Sequence, residues 1–70
     1  MKAKQIVRIN IKGNVYAVYE FYNQYGRPNF YEVYQILPGK RKRIFCDDFD
    51  YLEEATMYAL KSAIADATST

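Results

Sequence analysis

From Phe30 to Cys46 the chain reads Phe-Tyr-Glu-Val-Tyr-Gln-Ile-Leu-Pro-Gly-Lys-Arg-Lys-Arg-Ile-Phe-Cys. Aromatic and β-branched residues alternate with polar ones on both sides of Pro38-Gly39, an order that favours two β-strands around a turn. Four consecutive cations, Lys40 to Arg43, run into the second strand. A period of two gives such a hairpin unlike faces, one apolar and one basic with rings. The residues before it read as more sheet, and those after it read as one helix closing that sheet.

Upstream, Val7, Ile9 and Ile11 alternate with Arg8, Asn10 and Lys12, the mark of a half-buried strand. Gly13-Asn14 is a two-residue hairpin signal, with glycine supplying positive φ at the first turn position. Lys12 opposite Val15 then sets Ile9 beside Val18, Arg8 beside Tyr19 and Asn10 beside Ala17. Gly26 and Pro28 punctuate the connection Asn23 to Asn29. Placing Val33 beside Val18 brings Phe30 to Phe21 and Tyr34 to Ala17. A slip by one residue would oppose Glu20 to Glu32, a repulsive pair. Across Pro38-Gly39, Val33 meets Ile44 and Tyr31 meets Cys46 on the core side, with Tyr34–Arg43 and Ile36–Arg41 on the other.

Asp50 and Glu53 have the spacing of a capping box, and acidic residues favour the positive end of a helix dipole. Leu52, Ala55, Ala59, Leu60 and Ala63 follow helical spacing. The expected fold is α+β: a four-stranded antiparallel meander sheet followed by one C-terminal helix packed on one face (ββββα). Strands are expected at about 5–12, 14–22, 30–37 and 41–46 and the helix at about 51–66, in a single domain of residues 1–70. Met1 to Lys4 and Ala67 to Thr70 are expected to be loose ends.

Seventy residues bury only a modest core. Aromatic residues make up 17%, eight of them Tyr, and tyrosine tolerates half-wet positions. Histidine is absent and Cys46 is the only cysteine, which excludes an internal disulfide and a His/Cys zinc site. Cys46 reads as a small buried hydrophobe. Asp47, Asp48 and Asp50 lack the longer ligand set of a calcium loop and read as helix-start residues. No metal, no cofactor and no enzymatic activity are therefore expected. No run approaches the ~20 apolar residues of a membrane span or forms a signal peptide, so no membrane partner and a cytoplasmic location are expected.

Charge is unevenly distributed. Residues 1–43 carry nine Lys or Arg and two Glu, net +7; residues 44–70 carry Lys61 against six carboxylates, net −5. Such asymmetry suits a basic face for a polyanion, or a basic sheet complementing its own acidic helix. The outer sheet face combines Arg8, Asn10, Lys12, Tyr19, Phe21, Phe30, Tyr34, Arg41, Arg43 and Phe45, and all of these but Phe45, together with Lys42, are the candidate nucleic-acid contacts. Rings interleaved with cations stack bases and track phosphates, and a sheet can also enter a duplex groove, with Asn10 placed to read a base. The alternative is a protein partner or a homodimer covering the same rings, with arginines at the rim.

The segment from Tyr31-Glu-Val-Tyr through Gly39-Lys-Arg-Lys-Arg-Ile-Phe to Leu52-Glu-Glu-Ala55 resembles the AP2-like and arm-type DNA-binding domains of phage and transposon integrases. The resemblance covers roughly residues 15–66. It implies a basic sheet laid in the major groove, Arg41 and Arg43 as DNA contacts, DNA rather than RNA as ligand, and a phage or other mobile element as source. The additional N-terminal strand, the Asp47-Asp48 pair and the lack of an integrase catalytic domain depart from that pattern.

Overall fold

Each alternating segment forms a strand, and the one segment of helical period forms a helix. The computed structural model describes residues 2–22 and 29–69; most of the connection expected at Asn23 to Asn29, including Gly26 and Pro28, lies outside them. Strands β1 (Ala3–Ile11), β2 (Asn14–Phe21), β3 (Phe30–Leu37) and β4 (Lys42–Phe49) make one antiparallel sheet in the order β1-β2-β3-β4. Helix α1 (Leu52–Thr68) packs on one face, completing the α+β architecture ββββα.

The central pairing is the expected one: Val18 opposes Val33, Ala17 opposes Tyr34 and Phe21 opposes Phe30. The two outer pairings are offset. In the first hairpin Ile9 opposes Tyr16 and Arg8 opposes Ala17, two residues away from the expected register. The turn is Lys12-Gly13 rather than Gly13-Asn14, with both residues at positive φ (53° and 86°), as a type I′ turn requires. Two asparagines select it. Asn10 Oδ1 accepts the Gly13 N–H at 2.9 Å, and Asn14 Nδ2 donates to the Ile11 carbonyl at 3.1 Å.

The second hairpin turns over Pro38–Arg41, with Pro38–Lys40 in a 3-10 turn and Arg41 left-handed at φ 49°. Leu37 therefore opposes Lys42, and Arg43 opposes Ile36 rather than Tyr34. Arg41 belongs to the turn, which corrects its expected place on the strand opposite Ile36. A bulge at Cys46 then resets the ladder, so Val33 opposes Asp47 and Tyr31 opposes Phe49. The matching bulge in β1 falls at Ile6, between Gln5 and Val7.

The core lies between β2, β3 and α1. Val18, Val33, Ala55, Ala59 and Ala63 are fully buried, with Tyr16 nearly so; Ile6, Val7, Ile9, Ile11, Tyr31, Cys46, Phe49 and Tyr58 close the edges. The alanine stripe is the device that works here: with no bulk on the helix side, α1 sits close to valines and tyrosines. Leu52 and Leu60, expected in that stripe, are 36% and 37% exposed, and Ile44 is 42% exposed. They lie beyond the narrow strip a helix covers. Phe49, tilted against Tyr58 at 5.4 Å, does the job expected of Ile44.

The helix begins with Tyr51 at its N-cap and no side-chain cap bond, so Asp50 and Glu53 do not form a capping box. Tyr51 holds the N-cap, so Asp50 lies one residue before it and Glu53 falls at the second helical position instead of the third. At the other end the helix runs past the expected 66. Thr68 Oγ1 donates to the Ile64 and Ala65 carbonyls at 3.1 Å, and the Ser69 N–H donates to the Asp66 carbonyl. From Lys2 onward the first strand is likewise tied in: β1 starts at Ala3, and the Tyr22 N–H donates to the Lys2 carbonyl.

One polar clip ties sheet to helix: the Tyr16 hydroxyl donates to Asp66 Oδ2 at 2.5 Å. Burial, and then the Asp66 carboxylate, pushes the Tyr16 phenol well above its ordinary range. A phenol whose folded pKa exceeds its unfolded value of about 10 adds stability that is fully present below pH 10. That contribution is lost as pH climbs from about 10 towards the folded value. Urea midpoints should thus fall above pH 10, and Tyr16→Phe should flatten that part of the profile; an unchanged slope would deny the clip. Ala59→Leu should lower unfolding free energy by about 1–3 kcal/mol, since overpacking lifts the helix. Stability equal to the parent in urea denaturation would mean α1 is not closely seated.

Candidate functional site

The face of the sheet away from α1 is built in cross-strand rows. Gln5, Tyr19, Glu32 and Asp48 form one; Arg8, Ala17, Tyr34 and Phe45 the next; Asn10, Val15, Ile36 and Arg43 the third. Phe21 and Phe30 stand below them, stacked at 4.9 Å and 7°. No helix covers these rows, yet Val15 and Ala17 are buried while standing apart from the helix-side core. The face roofs itself with its own large side chains.

The roof is a ring and guanidinium assembly. Tyr19 meets Tyr34 edge-on at 5.3 Å, and Tyr34 meets Phe45 edge-on at 5.6 Å. The Arg43 guanidinium lies 4.8 Å from the Tyr19 ring centre and 4.7 Å from that of Tyr34. Such placement restricts the guanidinium while leaving Arg43 exposed. The Tyr34 hydroxyl donates to Glu32 Oε1 at 2.7 Å, and Gln5 Nε2 donates to the Tyr19 hydroxyl at 3.0 Å. Burial and the Glu32 hydrogen bond both raise the Tyr34 phenol, which keeps it a neutral donor.

The expected site residues thus divide into three groups. Tyr19, Phe21, Phe30 and Tyr34 are half-buried and engaged with one another, whereas Phe45 is 51% exposed and offers an open ring. Arg8, Lys12, Arg41, Lys42 and Arg43 are all exposed. Strand direction explains their convergence: β1 and β3 run one way, so the turns at Lys12-Gly13 and Pro38–Arg41 sit at the same end of the sheet. An open depression of about 320 Å³ at this end is lined by Tyr19, Ile36, Pro38 and the cations Arg8, Arg41, Lys42 and Arg43. Asn10, expected to read a base, uses its side-chain oxygen to hold the turn.

The bulge at Cys46 puts Asp48 beside Glu32 on this face, which strict alternation did not foresee. Two carboxylates therefore border the cationic end and limit where an anion can sit. Cys46 is half-buried, and its thiol donates weakly to the Ile44 carbonyl at 3.5 Å. Burial and then the Asp66 and Asp47 carboxylates push the thiol up, while a backbone hydrogen bond at Gln35 opposes them. The thiol is thus held protonated, a poor nucleophile. Among the described residues no cluster of His, Cys, Asp or Glu has a metal-holding arrangement, and no helix is long and apolar enough to cross a membrane.

A double-mutant cycle tests the roof. Arg43→Ala and Tyr34→Ala should couple by about 0.5–1 kcal/mol in urea denaturation. Additive effects would show that the guanidinium is not held by the rings. No protein-family model, curated protein or solved structure matches this chain.

Proposed function

We propose that this chain is a small, non-enzymatic nucleic-acid-binding protein that uses the turn end of its outer sheet face. The observation that carries the reading is the convergence of Arg8, Arg41, Lys42 and Arg43 around one depression, with Lys12 in the other turn at the same end of the sheet and the exposed Phe45 ring on the same strand as Arg43. Cations attract the phosphate backbone, and an exposed ring stacks on a base. Arg43 is restrained by Tyr19 and Tyr34, so its planar fork loses less freedom on meeting a phosphate or a base edge. Glu32 and Asp48 confine the footprint to the upper rows. DNA is the first ligand to test.

A second reading is a protein-interaction module or homodimer, and particular residues favour it. Ile44 and Phe45 stand exposed on the edge strand β4, and Met57, Leu60 and Ile64 stand exposed at helical spacing on α1. Salt separates the two readings, because phosphate contacts release counterions and an apolar interface does not.

Fluorescence anisotropy with labelled single- and double-stranded oligonucleotides at about 50 and about 200 mM salt provides the test. Binding should weaken steeply with salt. Phe45→Ala should cost about 1–3 kcal/mol if the ring stacks on a base, and Arg8→Ala/Arg43→Ala should weaken binding further. No binding at low salt, with a stable dimer by light scattering, would favour the second reading.

A further inference from the structure

The two hairpin turns share an unusual feature. Among the described residues only Lys12 and Arg41 are non-glycine residues at positive φ, at 53° and 49°. Both are cations and both stand at the tips of hairpins, at the same end of the sheet. Left-handed backbone is crowded for any residue with a Cβ, and turns normally place Gly, Asn or Asp there. The second turn even contains a glycine, but Gly39 lies outside the positive-φ region and a Cβ built on it would meet nothing within 4 Å. The conformationally free residue therefore sits where any residue fits, and an arginine occupies the position that favours glycine. Backbone strain kept at two matching places, each with the same charge, points to a contact made by those side chains.

Among the described residues neither Lys12 nor Arg41 makes an ion pair or a ring contact. The tips are two strand spacings apart, about 10 Å. That exceeds the width of a single phosphate group, so two cations held there meet different phosphates of a backbone. We infer that Lys12 and Arg41 form a two-pronged clamp on the nucleic-acid backbone, each prong neutralising one phosphate, with Arg43 and Phe45 placed behind them. This rests on the nucleic-acid reading and adds which residues fix register rather than sequence.

Lys12→Gly/Arg41→Gly is the informative variant, because it removes both charges and relieves both backbones. Its urea midpoint should equal or exceed that of the parent. The slope of log affinity against log salt for duplex DNA should become shallower by about two units, with the same fold loss on unrelated sequences. Lys61→Ala, an exposed cation on α1, should leave the slope as it was. An unchanged slope in the glycine variant, where Arg8→Ala/Arg43→Ala still weakens binding, would overturn the clamp and leave the nucleic-acid reading standing. A clearly lower urea midpoint would overturn the premise of strain. Absence of salt-sensitive binding by the parent would overturn both.

Discussion

An α-helix with its side chains is about 10–12 Å across, while four strands about 4.8 Å apart span more than about 14 Å and present two faces. One helix therefore covers only part of one side of this sheet, and α1 meets β2 most and β4 least. Within the covered strip, packing is tight because Ala55, Ala59 and Ala63 add no bulk between the helix backbone and Val18 and Val33. Outside it the sheet has to shelter its own apolar residues. Val15 and Ala17 are buried on the side without a helix, so the tyrosines, Ile36 and the stem of Arg43 do there what a second layer does in larger proteins.

That constraint also places the charges. A roof of rings admits Arg43, whose guanidinium lies over them, but not a crowd of hydrated lysines. Lys12, Lys40, Arg41 and Lys42 fall instead at the turns, which the meander gathers at one end. The acidic residues Glu53 and Glu54 stand in the first turn of α1, where the helix dipole favours them. Charge separation and roof thus arise from one shortage of covering surface. The edge strands are managed too: both carry bulges, and β4 carries Lys42, Arg43, Asp47 and Asp48, which discourages pairing with another chain.

Much of this was legible in the residues. Alternation placed every strand, and the Glu20–Glu32 conflict selected the true Val18–Val33 register. The outer registers were harder, because a two-residue slip preserves both faces and leaves hydrophobic patterning silent. Only turn chemistry distinguishes such slips, and it was misleading here: Gly13 suggested a turn beginning at glycine, whereas Lys12 takes positive φ and Asn10 braces it. The adjacent apolar pair Ile6-Val7 was a visible sign of a bulge. Cys46-Asp47 carried no such sign, so the arrival of Asp48 on the outer face was not legible. Asp50 and Glu53 had the right spacing for a cap, but the helix starts one residue later than that box requires. Arg8, Asn10, Tyr19, Phe21, Phe30, Tyr34 and Arg43 do share the outer face as expected, though the sequence did not reveal that most rings face one another and that the cations converge at the turns.

The central claim is that a polyanion is held at the turn end of the uncovered face. Two-dimensional NMR of the labelled protein, titrated with a short DNA duplex and a matching single strand, tests it most directly. The expected result is a contiguous set of shifted amides at Arg8, Lys12, Gly13 and Arg41 to Phe45, with the helix amides from Ala55 to Ala63 little moved. Shifts centred on Met57, Leu60 and Ile64, or no shift at low salt, would contradict it.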